Sequence, residues 1–199
     1  VVGEGGNLGF TQLGRVEYAR AGGRLCTDAI DNSAGVDCSD HEVNIKILLG
    51  LVVAEGELTL KQRNELLASM TDEVGRLVLA DNYFQTQSLA VSGMRGEKLL
   101  QASLMRALEK AGRLNRAVEF LPSEDEIAER RAAREGLAAP ERAVLLAYSK
   151  MVLFDDLVKG DLIDDEYVAR ALPGYFPAEL ARRYAAVMPR HPLRREIVA

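Results

Sequence analysis

Residues 24–45, RLCTDAIDNSAGVDCSDHEVNI, hold the change of character on which the fold turns. Arg24 to Ile30 read as a short strand, followed by the turn-rich run Asp31-Asn32-Ser33-Ala34-Gly35. Beyond it no stretch patterns as a strand. Ser39 is placed to cap a helix over about 40–54, with Glu42 three residues on to complete a capping box. The apolar positions of that helix include Val43, Ile47, Leu48, Leu51 and Val52.

Upstream, Val1-Val2 lead into a glycine-rich loop, Gly3 to Gly9, and Thr11 reads as the N-cap of a helix over 12–21 that Gly22-Gly23 end. Downstream the signals are helical throughout. Thr59 caps a helix over 60–70, and Thr71 starts one running from 72 to 91. Another covers 96–112, with Leu99, Leu100, Leu104 and Leu108 on one face. Ser123 and Glu126 form a capping box for a helix to about 134. Pro140 sits where a helix begins that should reach Val158, and shorter helices near 164–171, 178–187 and 192–199 are separated by prolines. The expected fold is mainly α: a helical domain over 46–199, preceded over 1–45 by a short α/β remnant with too few strands to complete a nucleotide-binding sheet.

Composition bounds the function. With 48% apolar and 28% charged residues, the 199-residue chain reads as globular. Its 25 basic and 30 acidic residues, a net charge of -5, argue against nucleic acid as a partner. No apolar run has the length of a membrane span and no signal peptide is visible, so no membrane association is expected. Cys26 and Cys38 have no metal or redox spacing and read as reduced thiols, which points to the cytoplasm. The chain starts at Val1 without methionine and both ends read as cut.

Two loops could carry chemistry. Gly3-x-Gly5-x-x-x-Gly9 between a strand and a helix, with Asp28 at the end of the next strand, has the outline of a dinucleotide fingerprint at a non-standard spacing. A tight strand-to-helix turn is the competing reading. Asn32-Ser33-Ala34-Gly35-Val36-Asp37-Cys38-Ser39 is small and polar, and could hold a carboxylate or an amide. On the residues alone an ordinary loop with an Asn turn and a Ser cap is the favoured reading, since Ser and Asn are enriched at caps for structural reasons. His41-Glu42 makes no His-Glu-x-x-His pattern, so His41 reads as a first-turn surface residue. His191, before Pro192, has no evident partner, and no metal site is expected. Arg130, Arg131 and Arg134 among Glu126, Glu129 and Glu135 read as a solvated helix face. Tyr83, Phe84 and Tyr148 read as core.

Taken together, the two loops resemble the glutamate dehydrogenase superfamily. Glu4-Gly5-Gly6-Asn7-Leu8 is similar to the family's Glu-Gly-Ala-Asn-Gly. After a helix and a strand ending in Asp28, the run Asn32 to Ser39 is similar to Asn-Ala-Gly-Gly-Val-x-x-Ser. The wording through Lys46, and Ala139 to Tyr148 in the helical part, looks closest to the very large bacterial NAD-specific members. The departures are Leu8 for Gly and Ser33 for Ala. The resemblance implies that residues 1–45 end a Rossmann-type domain whose pyrophosphate loop lies upstream, so that Gly3, Gly5 and Gly9 are not phosphate ligands. It implies NAD as cofactor, with Asn7 and Asn32 facing its nicotinamide end. It implies L-glutamate and 2-oxoglutarate as substrates, with Gly35, Val36 and Ser39 at the substrate. The catalytic lysine and aspartate of the family match nothing here. The remainder of the same polypeptide would supply them, and a homo-oligomer is the expectation for the intact enzyme. A helical interaction or regulatory module without a catalytic role is the alternative.

Overall fold

The protein is described from a computed structural model covering residues 1–94 and 98–199, the side chains of Lys98 and Leu99 excepted. Among the described residues the α-helices are, in order, α1 Gln12–Arg20, α2 Asp28–Asp31, α3 Ser33–Ala54, α4 Leu60–Ser69, α5 Thr71–Met94 and α6 Lys98–Lys110, then α7 Glu124–Ala132, α8 Ala139–Lys159, α9 Glu166–Ala169, α10 Ala171–Tyr175, α11 Ala178–Tyr184 and α12 Arg194–Val198. Residues 96 and 97 and the side chains of Lys98 and Leu99, which belong to the helix expected over 96–112, lie outside the described residues.

Local signals set most boundaries. The Thr11 hydroxyl accepts the Gly14 N–H at the start of α1. Complete capping boxes open α4, between Thr59 and Gln62, and α7, between Ser123 and Glu126. α1 stops where Gly22 adopts φ +92°, a left-handed conformation open to glycine. Gly23 follows so close to Tyr18 that a Cβ would lie 2.2 Å from its ring.

Two expectations about secondary structure fail. No strand occurs among the described residues. Residues 24–27 belong to no helix or strand, their tie to the N-terminal segment is one hydrogen bond, Val2 N–H to the Arg24 carbonyl at 2.8 Å, and the chain coils into α2 at Asp28. A strand needs a ladder to persist, and one bond does not make one. Nor does Ser39 cap a helix: α3 already begins at Ser33, so Ser39 sits in its second turn and Glu42 pairs with Lys46 instead. Tertiary packing overrides the turn-like composition here. Ile30, just upstream, is buried with Leu89 and Ala143, and the Asn82 amide donates to the Ile30 carbonyl at 2.7 Å and the Ser33 hydroxyl at 3.0 Å.

The chain divides into two compact units. The first comprises residues 1–33 and 82–152. Its main apolar cluster joins Met105, Leu108, Leu114, Leu121, Leu137 and Leu145. The expected α6 face is met in part: Leu108 is buried, together with Met105, whereas Leu100 and Leu104 are exposed and line a cavity of about 150 Å³ with Leu89, Arg142, Leu145 and Leu146. Arg130 is not solvated. It is buried, donating through Nη1 to both carboxylate oxygens of the fully buried Glu141 at 2.9 and 2.8 Å. Glu141 also accepts the Ala138 N–H at the head of α8. Tyr83 and Phe84 are exposed rather than core, and Tyr148 is half-buried with its hydroxyl donating to Glu119 at 2.6 Å.

The second unit comprises residues 34–81 and 153–199. Along α3 the buried positions are His41, Asn44, Ile45, Leu48, Leu49 and Val52, a stripe at helical spacing that excludes the exposed Val43. Leu48, Leu49 and Val52 pack with Leu66 and Met70 and with Leu172, Phe176, Leu180, Tyr184 and Met188 near the C-terminus. His191 is buried, not partnerless: its Nδ1 accepts the Leu193 N–H, which leaves Nε2 protonated to donate to the Asn44 carbonyl at 3.1 Å.

Candidate functional site

The glycine-rich loop is organised by carboxylates. Glu4, at 5% exposure, takes a two-point ion pair from Arg15, Nε to Oε2 at 2.6 Å and Nη2 to Oε1 at 3.1 Å. It also accepts the Phe10 N–H at 2.9 Å, across the far end of the loop. Arg15's hydrogen bonds hold the Glu4 carboxyl below its ordinary range against the opposing effect of burial. Asp31 accepts the Glu4 N–H at 3.1 Å, and Asp28 accepts the Leu8 N–H at 3.0 Å while standing 3.4 Å from Arg15. Burial pushes Asp28 up, but the Leu8 amide and Arg15 outweigh it and leave its pKa lowered. Asp28 is therefore engaged in holding the loop rather than free for a ribose.

This wiring sets the course of the backbone at Asn7-Leu8. Leu8 adopts φ +63° and is 83% exposed. Next to it, Asn7 Oδ1 accepts a hydrogen bond from Asn32 Nδ2 at 3.1 Å. Asn32 lies between α2 and α3, and its position is fixed from both sides by the Asn82 amide on Ile30 and Ser33. Asn7 and Asn32, chosen from sequence 25 residues apart, are thus brought together. Their mutual bond leaves an amide N–H₂ on Asn7 and a carbonyl oxygen on Asn32 for other partners. Gly35, Val36 and Ser39 lie in the first two turns of α3, all exposed, with Ser39 one turn beyond both Gly35 and Val36.

Sequence reasoning missed Arg15, Asn82 and the ionised state of Glu4. The separation of Glu4 from Arg15 follows no local motif, and Asn82 lies 52 residues from Ile30.

Comparison with known proteins identifies the class first. A family model of the catalytic domain of bacterial NAD-glutamate dehydrogenase matches residues 1–92, and one of the glutamate dehydrogenase C-terminal region matches residues 134–199. The whole chain is 54% identical to the NAD-specific glutamate dehydrogenase of Pseudomonas aeruginosa, 52% to that of Halomonas elongata and 50% to that of Mycobacterium tuberculosis. It spans 12% of the length of each. All of these are glutamate dehydrogenases. Within that class, the chain belongs to the bacterial NAD-glutamate dehydrogenase family. No helix among the described residues is long and apolar enough to cross a membrane.

Proposed function

We propose that this chain forms one wall of the active-site cleft of an NAD-dependent glutamate dehydrogenase, which oxidatively deaminates L-glutamate to 2-oxoglutarate and ammonia. On this reading residues 1–45 end the Rossmann-type NAD-binding domain and 46–199 form a helical C-terminal domain. The observation that carries it is the Asn7–Asn32 pair: two amides joined at 3.1 Å, presenting one donor group and one acceptor. A carboxamide needs the complementary acceptor and donor, so the pair fits the nicotinamide end of NAD. When bound, NAD supplies the hydride-accepting chemistry. The role of this chain is to orient. Asn7 and Asn32 hold the carboxamide, and the small Gly35 with Val36 leaves room for the substrate chain. The Ser39 hydroxyl donates to the substrate's side-chain carboxylate. Proton transfer falls to residues of the same polypeptide outside this chain, so the chain alone is inactive.

The test is steady-state kinetics on the enzyme containing this segment. Because Ser39 is exposed within α3 and does not cap it, Ser39→Asp leaves the helix intact. It places a negative charge against the substrate carboxylate, which should raise KM for glutamate on the order of a hundredfold with little change in that for NAD. Asn32→Ala should do the reverse, raising KM for NAD. Near-normal glutamate kinetics in Ser39→Asp, or NADH formation by the isolated 199-residue chain, would overturn the assignment.

A further inference from the structure

His41 is 2% exposed, and neither of its ring nitrogens has a hydrogen-bond partner among the described residues. Tyr175 stacks on its face at 4.5 Å between ring centres, and the Tyr175 hydroxyl donates to Asp40 and accepts from Asn44. Burying an imidazole with both nitrogens unsatisfied is costly, so a polar partner of some kind is called for. Nε2 faces two carboxylates. It lies 3.8 Å from Asp37 Oδ1, one turn back on α3, and 3.9 Å from Asp81 Oδ2 on α5. These separations are too long for hydrogen bonds. They approach the spacing of donor atoms that share one ion, roughly 3–3.6 Å for ligands about 2.1 Å from a metal. All three donor atoms lie within 4.8 Å of one another, so modest side-chain rotations bring them onto a common centre.

We propose that Asp37, His41 and Asp81 form a binding site for a divalent first-row transition ion, with zinc as its probe. One imidazole and two carboxylates suit zinc, manganese or cobalt, whereas calcium and magnesium favour all-oxygen sets. Asp81 is 58% exposed, which leaves water free to complete the coordination sphere on that side. Asp40 stands near Asp37, adding a third negative charge while its own carboxylate is engaged by Tyr175. A bound cation would offset the mutual repulsion of these carboxylates. The ion would tie the first turns of α3 to α5, and the inference does not depend on the catalytic reading of Asn7 and Asn32.

The experiment is calorimetric titration of the chelator-treated 199-residue chain with zinc chloride, in a Cys38→Ser background that removes the exposed thiol on the same helix. One zinc per chain is expected, with a rise in melting temperature on saturation. Asp81→Asn should weaken binding by at least about tenfold, since changes even in the groups that orient metal ligands cost that much. Glu42→Gln, an exposed acid on α3 paired with Lys46, should leave it unchanged. Asp81 is exposed enough that its substitution keeps the fold, so this variant decides the matter even if His41→Gln does not fold. Cobalt in place of zinc should give visible d–d absorption that Asp81→Asn weakens. Absence of binding at millimolar zinc, or equal binding in the parent and Asp81→Asn, would overturn the proposal, the second outcome marking an adventitious ion elsewhere.

Discussion

The N-terminal loop region and the second unit's core are built on opposite principles. Residues 1–33 are held by charge and amide pairing, in which Glu4, Arg15 and Asp28 each take two or more partners and Asp31 takes one 27 residues away. The second unit is held by an apolar stripe on α3, buried to 0% at Leu48, Leu49 and Val52, against helices more than 100 residues away. A polar lattice specifies one geometry, because each unmet partner is penalised in full. An apolar core tolerates graded change. A loop that must present two amides at a set separation calls for the first kind of construction, and a scaffold for the second.

The largest effect that separates them is single deletion. Glu4→Ala strips the buried Arg15 guanidinium of its two-point partner, leaving only Asp28 at 3.4 Å, and should destabilise the chain by about 3–5 kcal/mol in urea denaturation. The double change Glu4→Leu with Arg15→Met should be less damaging than Glu4→Ala alone, since neither charge is then buried unpaired. In the apolar core the pattern reverses. Leu49→Ala should cost about 2–5 kcal/mol, and adding Leu180→Ala should cost more, never less. A double change in the loop worse than the single one would break the contrast.

Acid separates the regions in a second way. Burial lowers the His191 pKa, so its contribution is complete above its ordinary value of 6.5 and is lost as pH falls through the lower folded value. Glu4 is lowered chiefly by Arg15, so its contribution is complete above 4.5 and is lost at lower pH still. Melting followed against pH should therefore show loss first from the second unit. His191→Gln should flatten the decline just below pH 6.5 without touching the one below 4.5.

The smallest expected effect concerns Leu8. A non-glycine residue at φ +63° is strained, and with 83% exposure it has little packing to compensate. Leu8→Gly should stabilise the chain by about 0.5–1 kcal/mol, the relief of strain outweighing the extra chain entropy lost. Destabilisation instead would mean that the side chain contributes where the loop looks bare.

What was legible in the sequence was local. Thr11, Thr59, Ser123 and Pro140 announce their helices because capping is settled within four residues. Arg24 to Ile30 was misread because a strand is defined by neighbours rather than by its own composition. Ser39 was misread because the support for Asn32-Ser33 comes from Asn82, far along the chain. Arg130, His41 and His191 defeat composition for the same reason. Each is a polar residue whose burial depends on partners or packing that patterning does not reveal. Asn7 and Asn32 were named through resemblance to a family; that they hydrogen-bond to each other, 25 residues apart, is a pairing that residue-by-residue reading could not give.

The interleaving of the two units bears on synthesis. Residues 34–81 leave the ribosome before residues 82–152, yet Leu172, Phe176 and Leu180, which cover the α3 stripe, come only with residues 153–199. At about 5–20 residues per second, that stripe waits several seconds without its cover. Both of the first unit's segments, residues 1–33 and 82–152, are meanwhile available once residue 152 has emerged. Nascent chains stalled at that point should still carry the sticky, uncovered stripe of α3, the kind of surface that trigger-factor-like holdases retain. Closing the second unit late also means closing a long loop, which places it on the slow side of folding.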